Sequence, residues 1–358
     1  MPARVCIVYL CHNDRRWAPE VVESWASLRY PKQNLTIAVV PNGAQDGIQQ
    51  YFYDSVLPRV GKDLPEIKIF DDGVNRGFAG GNNLAIKWAV DNDFDYVFLN
   101  NGDLKVSTDT ITQLVEVMEN DKKIAAAQPV IKLWQDKKII NSTGNMIHVA
   151  GYGYARDNGI LAESVDRPDK DEVAYCSGAA VMYRIDILRE VGLLEDGFFM
   201  YHEDLELGLR FLIAGYKNVL AANAEAYHYY QFARNKKMFY WIEIYRLDVL
   251  IAYLRFRSLI LLTPFLIIAD FGSLISSVKE GWFLMKLKTL FAIFSLPNLA
   301  LILKMRQRAA ELRKVRDRYL LSYFTPIIEF QNKTSLAVQI VNRIFAFLWS
   351  RIYKIISW

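Results

Sequence analysis

Val5–Leu10 (VCIVYL) is an unbroken apolar run of strand length, and residues 17–28 follow with apolar positions at helical spacing until Tyr30-Pro31 breaks them. Leu35–Val40 predicts a second strand, closed by the turn residues Pro41-Asn42-Gly43. Residues 67–70 predict a third, followed by a polar loop at 71–76 and the small-residue stretch GFAGG at 77–81. A helix is expected from Asn83 to Val90, a strand at 96–99, a helix at 108–120 and a further strand at 124–130. Strands alternating with helices predict an α/β fold with a mostly parallel sheet and flanking helices. Its ligand should sit at the carboxyl ends of the strands. Asn13, Asn42, Asn75 and Asp103 each fall just after a strand.

Residues 139–175 are turn-rich and predict a mobile loop or hairpin over that edge. A strand is expected at 175–183 around Ser177-Gly178, then helices at 185–191 and 205–214, and a short strand at 218–221 leading to His228. The pattern changes near Gln231. One aromatic-rich helix is expected at 234–257, then an apolar stretch at 258–278 interrupted by Pro264 and Asp270. Residues 283–303 are apolar but hold Lys286, Lys288 and Pro297, and 305–321 predict a charged helix. Along 335–358, Gln339, Asn342, Arg343, Ser350, Lys354 and Ser357 share one helical stripe opposite a broad apolar face. The expected division is residues 1–233 as the α/β domain and 234–358 as an all-α amphipathic tail.

Charge sharpens that division. From Gln231 onward there are 20 Lys/Arg against 7 Asp/Glu, and before it 23 against 32. An acidic front half argues against nucleic acid as a partner, and a basic tail rich in Leu, Ile, Phe and Trp points to an anionic lipid surface. A mid-span Asp270 costs about 2.5–3.5 kcal/mol on insertion scales, so the tail is expected to lie on the membrane, peripheral or monotopic, rather than cross it. The alternative is that these helices pack on the front domain or on a second copy of the chain. The three cysteines lack zinc-ligand spacing and suit a reducing compartment. With no apolar leader ahead of the first strand, the front half is expected to face the cytoplasm.

Four motifs carry chemistry, each with a plainer reading. FLNNGDL (98–104) ends a strand in an acid on a tight turn, where Asp103 suits either a hard divalent cation or an ordinary turn. FFMYHEDLELGLR (198–210) sets Glu203 and Asp204 at a helix start, placed either as a general base or as dipole-stabilising acids. His228 in AYHYY is either a metal-binding imidazole or a packed residue. NRGFAGGNN (75–83) brings small residues to a helix start that suits phosphate oxygens, yet matches neither a Walker loop nor a dinucleotide fingerprint.

Taken in order, VYLCHN (8–13), PNGAQDG (41–47), NRGFAGGNN (75–83), LNNGD (99–103), SGAAVMYR (177–184), FFMYHEDLELGLR (198–210) and the late His228 resemble family-2 glycosyltransferases of the GT-A fold, in particular the rhamnosyltransferase-like branch. The resemblance covers about residues 5–228. It implies an inverting transfer of a sugar from a nucleoside-diphosphate-sugar to an acceptor hydroxyl on a glycan or lipid-linked acceptor, with Mg²⁺ or Mn²⁺ as cofactor. Asp103 would bind the metal, with Asn101 in the motif's first position and His228 as a further ligand. Asp204 would be the base and Glu203 its partner. Asn13, Asn42, Asn75, Gly77, Asn82, Asn83, Asn101, Ser177 and Gly178 would line the nucleotide-sugar. Three positions depart from the family: Pro41 replaces the Asp of V-D-N, Gly102 is an extra residue in the metal motif, and Ala85 stands for Gly. Three readings compete. One is a non-catalytic nucleotide-sugar or glycan-binding relative; another is a sugar nucleotidyltransferase, which HNDRRW (12–17) does not resemble; the last gives the tail the main role as a transport or scaffold element.

Overall fold

The computed structural model describes residues 2–230, 236–329 and 336–358. The order begins β1 (Val5–Leu10), α1 (Ala18–Ala26), β2 (Leu35–Val40), α2 (Ile48–Tyr51), β3 (Glu66–Ile69), α3 (Gly77–Asp91), β4 (Tyr96–Asn101), β5 (Leu104–Val106), α4 (Thr110–Asn120) and β6 (Ile124–Leu133). It continues with β7 (Ile140–Ser142), β8 (Asn145–His148), β9 (Gly153–Ala155), β10 (Asp171–Val173), β11 (Ala180–Arg184), α5 (Ile185–Val191), α6 (Glu203–Ile213) and β12 (Lys217–His228). The remaining elements are α7 (Lys236–Tyr253), α8 (Phe256–Lys279), α9 (Phe283–Ala292), α10 (Leu296–Leu312), α11 (Asp317–Leu321), β13 (Phe324–Thr325) and α12 (Leu336–Ile355).

The main sheet runs β10-β12-β6-β11-β4-β1-β2-β3. β3, β2, β1 and β4 are mutually parallel, whereas β11 lies antiparallel between β4 and β6. β1 and β2 are buried on both faces, which their apolar runs require. Val5, Ile7 and Tyr9 of β1 pack with Val21 and Trp25 of α1, while Cys6, Val8 and Leu10 pack with Ala79, Ala85 and Ile86 of α3. Ala85, where the family resemblance expects Gly, is fully buried in that second layer.

Three expectations are corrected. The stretch 139–175 takes the hairpin form of the two expected and not the mobile loop: it holds β7 to β10, with β8 and β9 antiparallel and joined to β13 in a three-stranded sheet and Ile140, Ile147 and Val149 buried. The strand expected at 175–183 begins only at Ala180, and Ser177-Gly178 form the turn before it. The GFAGG stretch lies inside α3, which starts at Gly77 rather than Asn83.

The division expected at 233/234 lies outside the described residues. The helices beyond it share a core with the front of the chain: Leu205, Leu209 and Leu212 of α6 pack with Tyr245 and Val249 of α7, Phe265 of α8, Met305 of α10 and Phe345 of α12. Pro264 and Asp270 do not interrupt α8, a 24-residue helix that holds an 18-residue window of mean hydropathy 2.0. Asp270 is neutralised inside the protein by Arg246 and Lys286. α9 and α10 meet at a 60° bend. The outward faces are apolar: Phe271, Leu284, Phe291, Leu296 and Phe347 are all more than half exposed.

Candidate active site

The loops after β1, β2, β3 and β4 and the starts of α3 and α6 meet at the carboxyl edge of the sheet. Asn42, at φ +46°, has its amide oxygen accepting from Arg76 N at 2.9 Å and donates to Gly77 O at 3.1 Å. It thereby staples the β2 loop to the start of α3. Asn75 Oδ1 accepts from Gly77 N at 2.9 Å. Gly77 sits at φ +69°, and a Cβ there would lie 2.2 Å from Phe199 O, to which Phe78 N donates at 2.7 Å. Only glycine allows α3 to start this close to the loop carrying Glu203 and Asp204.

Asp204 is half-buried in the first turn of α6. Its Oδ2 accepts from Gly178 N at 3.0 Å and its Oδ1 from Leu205 N at 2.7 Å. Burial pushes its carboxyl up to about 6, against the pull of these backbone donors. Burial, and then the charge of Asp204, raise Glu203 well above the usual carboxylate range. Glu203 Oε2 is buried and has no hydrogen-bond partner among the described residues. The pair is thus set up to hold unequal charge, with Glu203 keeping its proton to higher pH than Asp204. Tyr201 and His202, just before it, both have positive φ, 66° and 68°. Strain of this kind persists only where surrounding contacts fix it.

Gly178 separates Asp204 from α3, since a Cβ there would meet the Phe78 ring at 3.0 Å. Ser177 N donates to Gln128 Oε1 at 2.6 Å. Next to this turn, Asn101 N donates to Ala179 O at 3.1 Å, which ties the Asp204 side of the cleft to the β4–β5 turn.

That turn holds Asp103, whose backbone carbonyl accepts from Tyr229 N at 2.9 Å. Asp103 Oδ1 lies 3.2 Å from His228 Nε2, so the structure unites two residues 125 positions apart. Asn141 Oδ1 faces His228 Nδ1 at 3.1 Å. An amide oxygen only accepts, so Nδ1 carries a proton; Nε2 donates to the Asp103 carboxylate when the ring is doubly protonated and otherwise presents a lone pair that can ligate. Two acceptors in contact call for a proton or a cation between them. Two neighbouring ligands at 2.0–2.1 Å from an octahedral Mg²⁺ lie about 3 Å apart, so this pair fits a divalent cation. No group of three or more His, Cys, Asp or Glu that could hold a metal occurs among the described residues. Mg²⁺ commonly takes one or two carboxylates plus substrate phosphates, and a two-residue site suits that use.

Other expected donor contacts act differently. Asn13 is exposed at φ +61°, with Oδ1 accepting from Gln45 N at 2.9 Å, which joins the β1 and β2 loops. Asn82 is buried within α3 and donates to Phe78 O. Asn83 is turned to the segment before the Asp204 loop, donating to Leu194 O at 2.8 Å and to Asp196. Asn101 is half-buried at the end of β4.

Sequence reasoning missed Asn141, Gln128 and Asp14. A polar residue inside the apolar run IAAAQPV was a visible signal for Gln128. Asp14 explains the extra glycine: a Cβ on Gly102 would lie 2.3 Å from Asp14 Oδ2. Burial pushes the Asp14 carboxyl up to about 6, and Asp103 and Asp46 add to the rise.

A mixed sheet with ligand loops at its carboxyl edge, an acid on the β4–β5 turn and a paired acid opening α6 define a GT-A type fold. Residues 6–192 match the family model described as Glycosyl transferase family 2, more than half of the chain, and the protein belongs to that family. It is 24% identical over 216 residues to the N-acetylglucosaminyl-diphospho-decaprenol L-rhamnosyltransferase of Mycobacterium tuberculosis, a match covering 54% of this chain and 66%, just under two thirds, of that protein. It is 25% identical over 154 residues to the low-salt glycan biosynthesis hexosyltransferase Agl10 of Haloferax volcanii, covering 40% of this chain and 46% of the relative. Among solved structures, GalNAc-T7 with UDP, GalNAc and Mn²⁺ is similar at a TM-score of 0.52 and 12% identity, over 70% of this chain and 48% of that one. S. aureus TarS 1-349 in complex with UDP-GlcNAc is similar at 0.50 and 12%, over 98% and 88%.

Proposed function

We propose that the protein is an inverting glycosyltransferase that moves a sugar from a nucleoside-diphosphate-sugar to a hydroxyl of a lipid-linked glycan acceptor, working at the cytoplasmic face of a membrane. The observation that carries the reading is Asp204, a partly exposed carboxylate held by two backbone N–H groups with proton affinity raised to about 6. A base near that value is ionised at pH 7.5 yet still takes a proton effectively. The acceptor oxygen attacks the anomeric carbon as the bond to the diphosphate oxygen breaks, and the acceptor's proton passes to Asp204. Charge at the anomeric carbon is oxocarbenium-like, as in glycoside hydrolysis. Asp103 and His228 would hold the divalent cation, which when bound neutralises charge on the leaving diphosphate.

A lipid-linked acceptor is supported by the name of the mycobacterial relative and by the apolar outward faces of α8, α9, α10 and α12 under a basic tail. The test is a mass-spectrometric screen of nucleotide-sugars with Mn²⁺ or Mg²⁺. One donor should yield free nucleoside diphosphate, and Asp204→Asn should suppress this at least 100-fold. A full donor panel that is neither bound nor consumed would refute the proposal and favour the non-catalytic relative.

A further inference from the structure

The loop that delivers Asp204 is held from the helical tail. Tyr245 of α7 stacks on Phe198 with ring centroids 4.1 Å apart. Its hydroxyl accepts from Phe199 N and donates to Gly197 O, both at 3.2 Å. The next residue, Arg246, is fully buried and donates to Ala150 O at 3.1 Å. Neighbouring Gly151 leaves no room for a side chain, because a Cβ there would lie 2.7 Å from Arg246 O. Gly151 O meets His202 Nε2 at 3.1 Å. Burial lowers His202 to about 4, so its ring is neutral and Nε2–H donates. His202 is the strained residue immediately before Glu203 and Asp204.

Arg246 is itself set by two other helices. Its guanidinium donates to Glu243 at 3.1 Å and to Asp270 of α8 at 2.6 Å. Lys286 of α9 donates to the same Asp270 oxygen at 2.8 Å and to Glu243. Tyr152 and Ser273 hydroxyls complete Glu243, each at 2.8 Å. α8 and α9 are among the helices with exposed apolar faces, and each sends one charge inward to this cluster. A buried ion cluster is weak evidence for stability, because apolar packing often does as well, and fixing one arrangement is its best-attested use. Here the arrangement it fixes ends at the base.

We propose that Arg246 is a positioning residue for transfer: acting through Ala150-Gly151 and His202, it holds the start of α6 in register, and Asp270 and Lys286 make that register depend on the seating of α8 and α9. This rests on the reading of Asp204 as the base. The experiment compares wild type with Arg246→Met, Arg246→Lys and the charge-balanced double variant Asp270→Asn/Lys286→Met in the full chain. Hydrogen–deuterium exchange of residues 199–206, donor affinity, kcat and KM are read for each. Exchange at 199–206 should rise in Arg246→Met and the double variant, and Arg246→Lys should partly restore protection. In the same two variants kcat should fall about 10- to 100-fold, the scale of a misplacement near 1 Å, while donor affinity stays within twofold. Unchanged exchange at 199–206 in folded Arg246→Met would overturn the proposal whatever the activity. So would a loss of donor affinity equal to the loss of kcat. A wild type that binds no nucleotide-sugar would instead refute the proposed function, with the exchange result still deciding the link to α6.

Discussion

Replacing Asp204 by Asn should make the protein more stable as it makes it inactive. Burial lifts this carboxyl from 3.8 to about 6. A carboxyl whose folded value lies above its unfolded value weakens the fold once it ionises. The penalty is absent below about pH 4, grows between 4 and 6, and is complete above. At 1.36 kcal/mol per pKa unit the shift sets an upper bound near 3 kcal/mol. Gly178 N and Leu205 N both point at carboxylate oxygens, and the Asn amine must face one of them, a loss of about 1 kcal/mol. The net gain at pH 8 is then about 1–2 kcal/mol, read as a rise of about 1–3 °C in melting temperature. Below pH 4 the ionisation penalty is gone while the misplaced amine remains, so the variant should there be about 1 kcal/mol less stable than wild type. The assay is thermal unfolding of wild type and variant at pH 4 and pH 8, beside the transfer rate. A variant less stable at pH 8, or equally displaced at both pH values, would refute the reasoning that Asp204 is a desolvated charge.

The pH profile of kcat/KM should rise through about 6 and level above it as Asp204 loses its proton; a profile flat from pH 5 to 8 would contradict this. Asp103→Ala and His228→Ala should each remove the EDTA sensitivity of nucleotide binding, measured calorimetrically, with the fold retained. Gly77→Ala should lower stability by about 1–3 kcal/mol in chemical denaturation, because φ +69° and the contact with Phe199 O both oppose a side chain. The full chain should float with anionic vesicles, and Leu284→Lys/Phe291→Lys/Leu296→Lys should reduce flotation if these exposed residues meet the bilayer.

The strands of the front half were legible because β1 is an unbroken apolar run and β2 and β4 are nearly so, and a sheet covered on both faces needs such runs. The residues after those strands were legible for the same topological reason. The start of α3 was missed because GFAGG has poor helix propensity. Its glycines serve close approach instead, Gly77 to Phe199 and Gly81 to Leu10 and Asn42. Ser177-Gly178 read as strand because neighbouring residues are apolar, but Gln128 and Asp204 take their N–H groups and turn the chain. Asn141 could not be read locally, since what it orients lies 87 positions away. In the tail, Asp270 and Lys286 looked like interruptions of apolar stretches. Their partners Arg246 and Glu243 come from another helix, and one-dimensional hydropathy cannot show that pairing.

The central claim is a direct displacement at the anomeric carbon with Asp204 as base. Proton NMR of the newly formed glycosidic linkage, recorded with the donor identified by the mass-spectrometric screen, tests it most directly. Direct displacement gives an anomeric configuration opposite to that of the donor, formed at least 100-fold more slowly by Asp204→Asn. A product that retains the donor's configuration, or Asp204→Asn turning over at the wild-type rate, would contradict it.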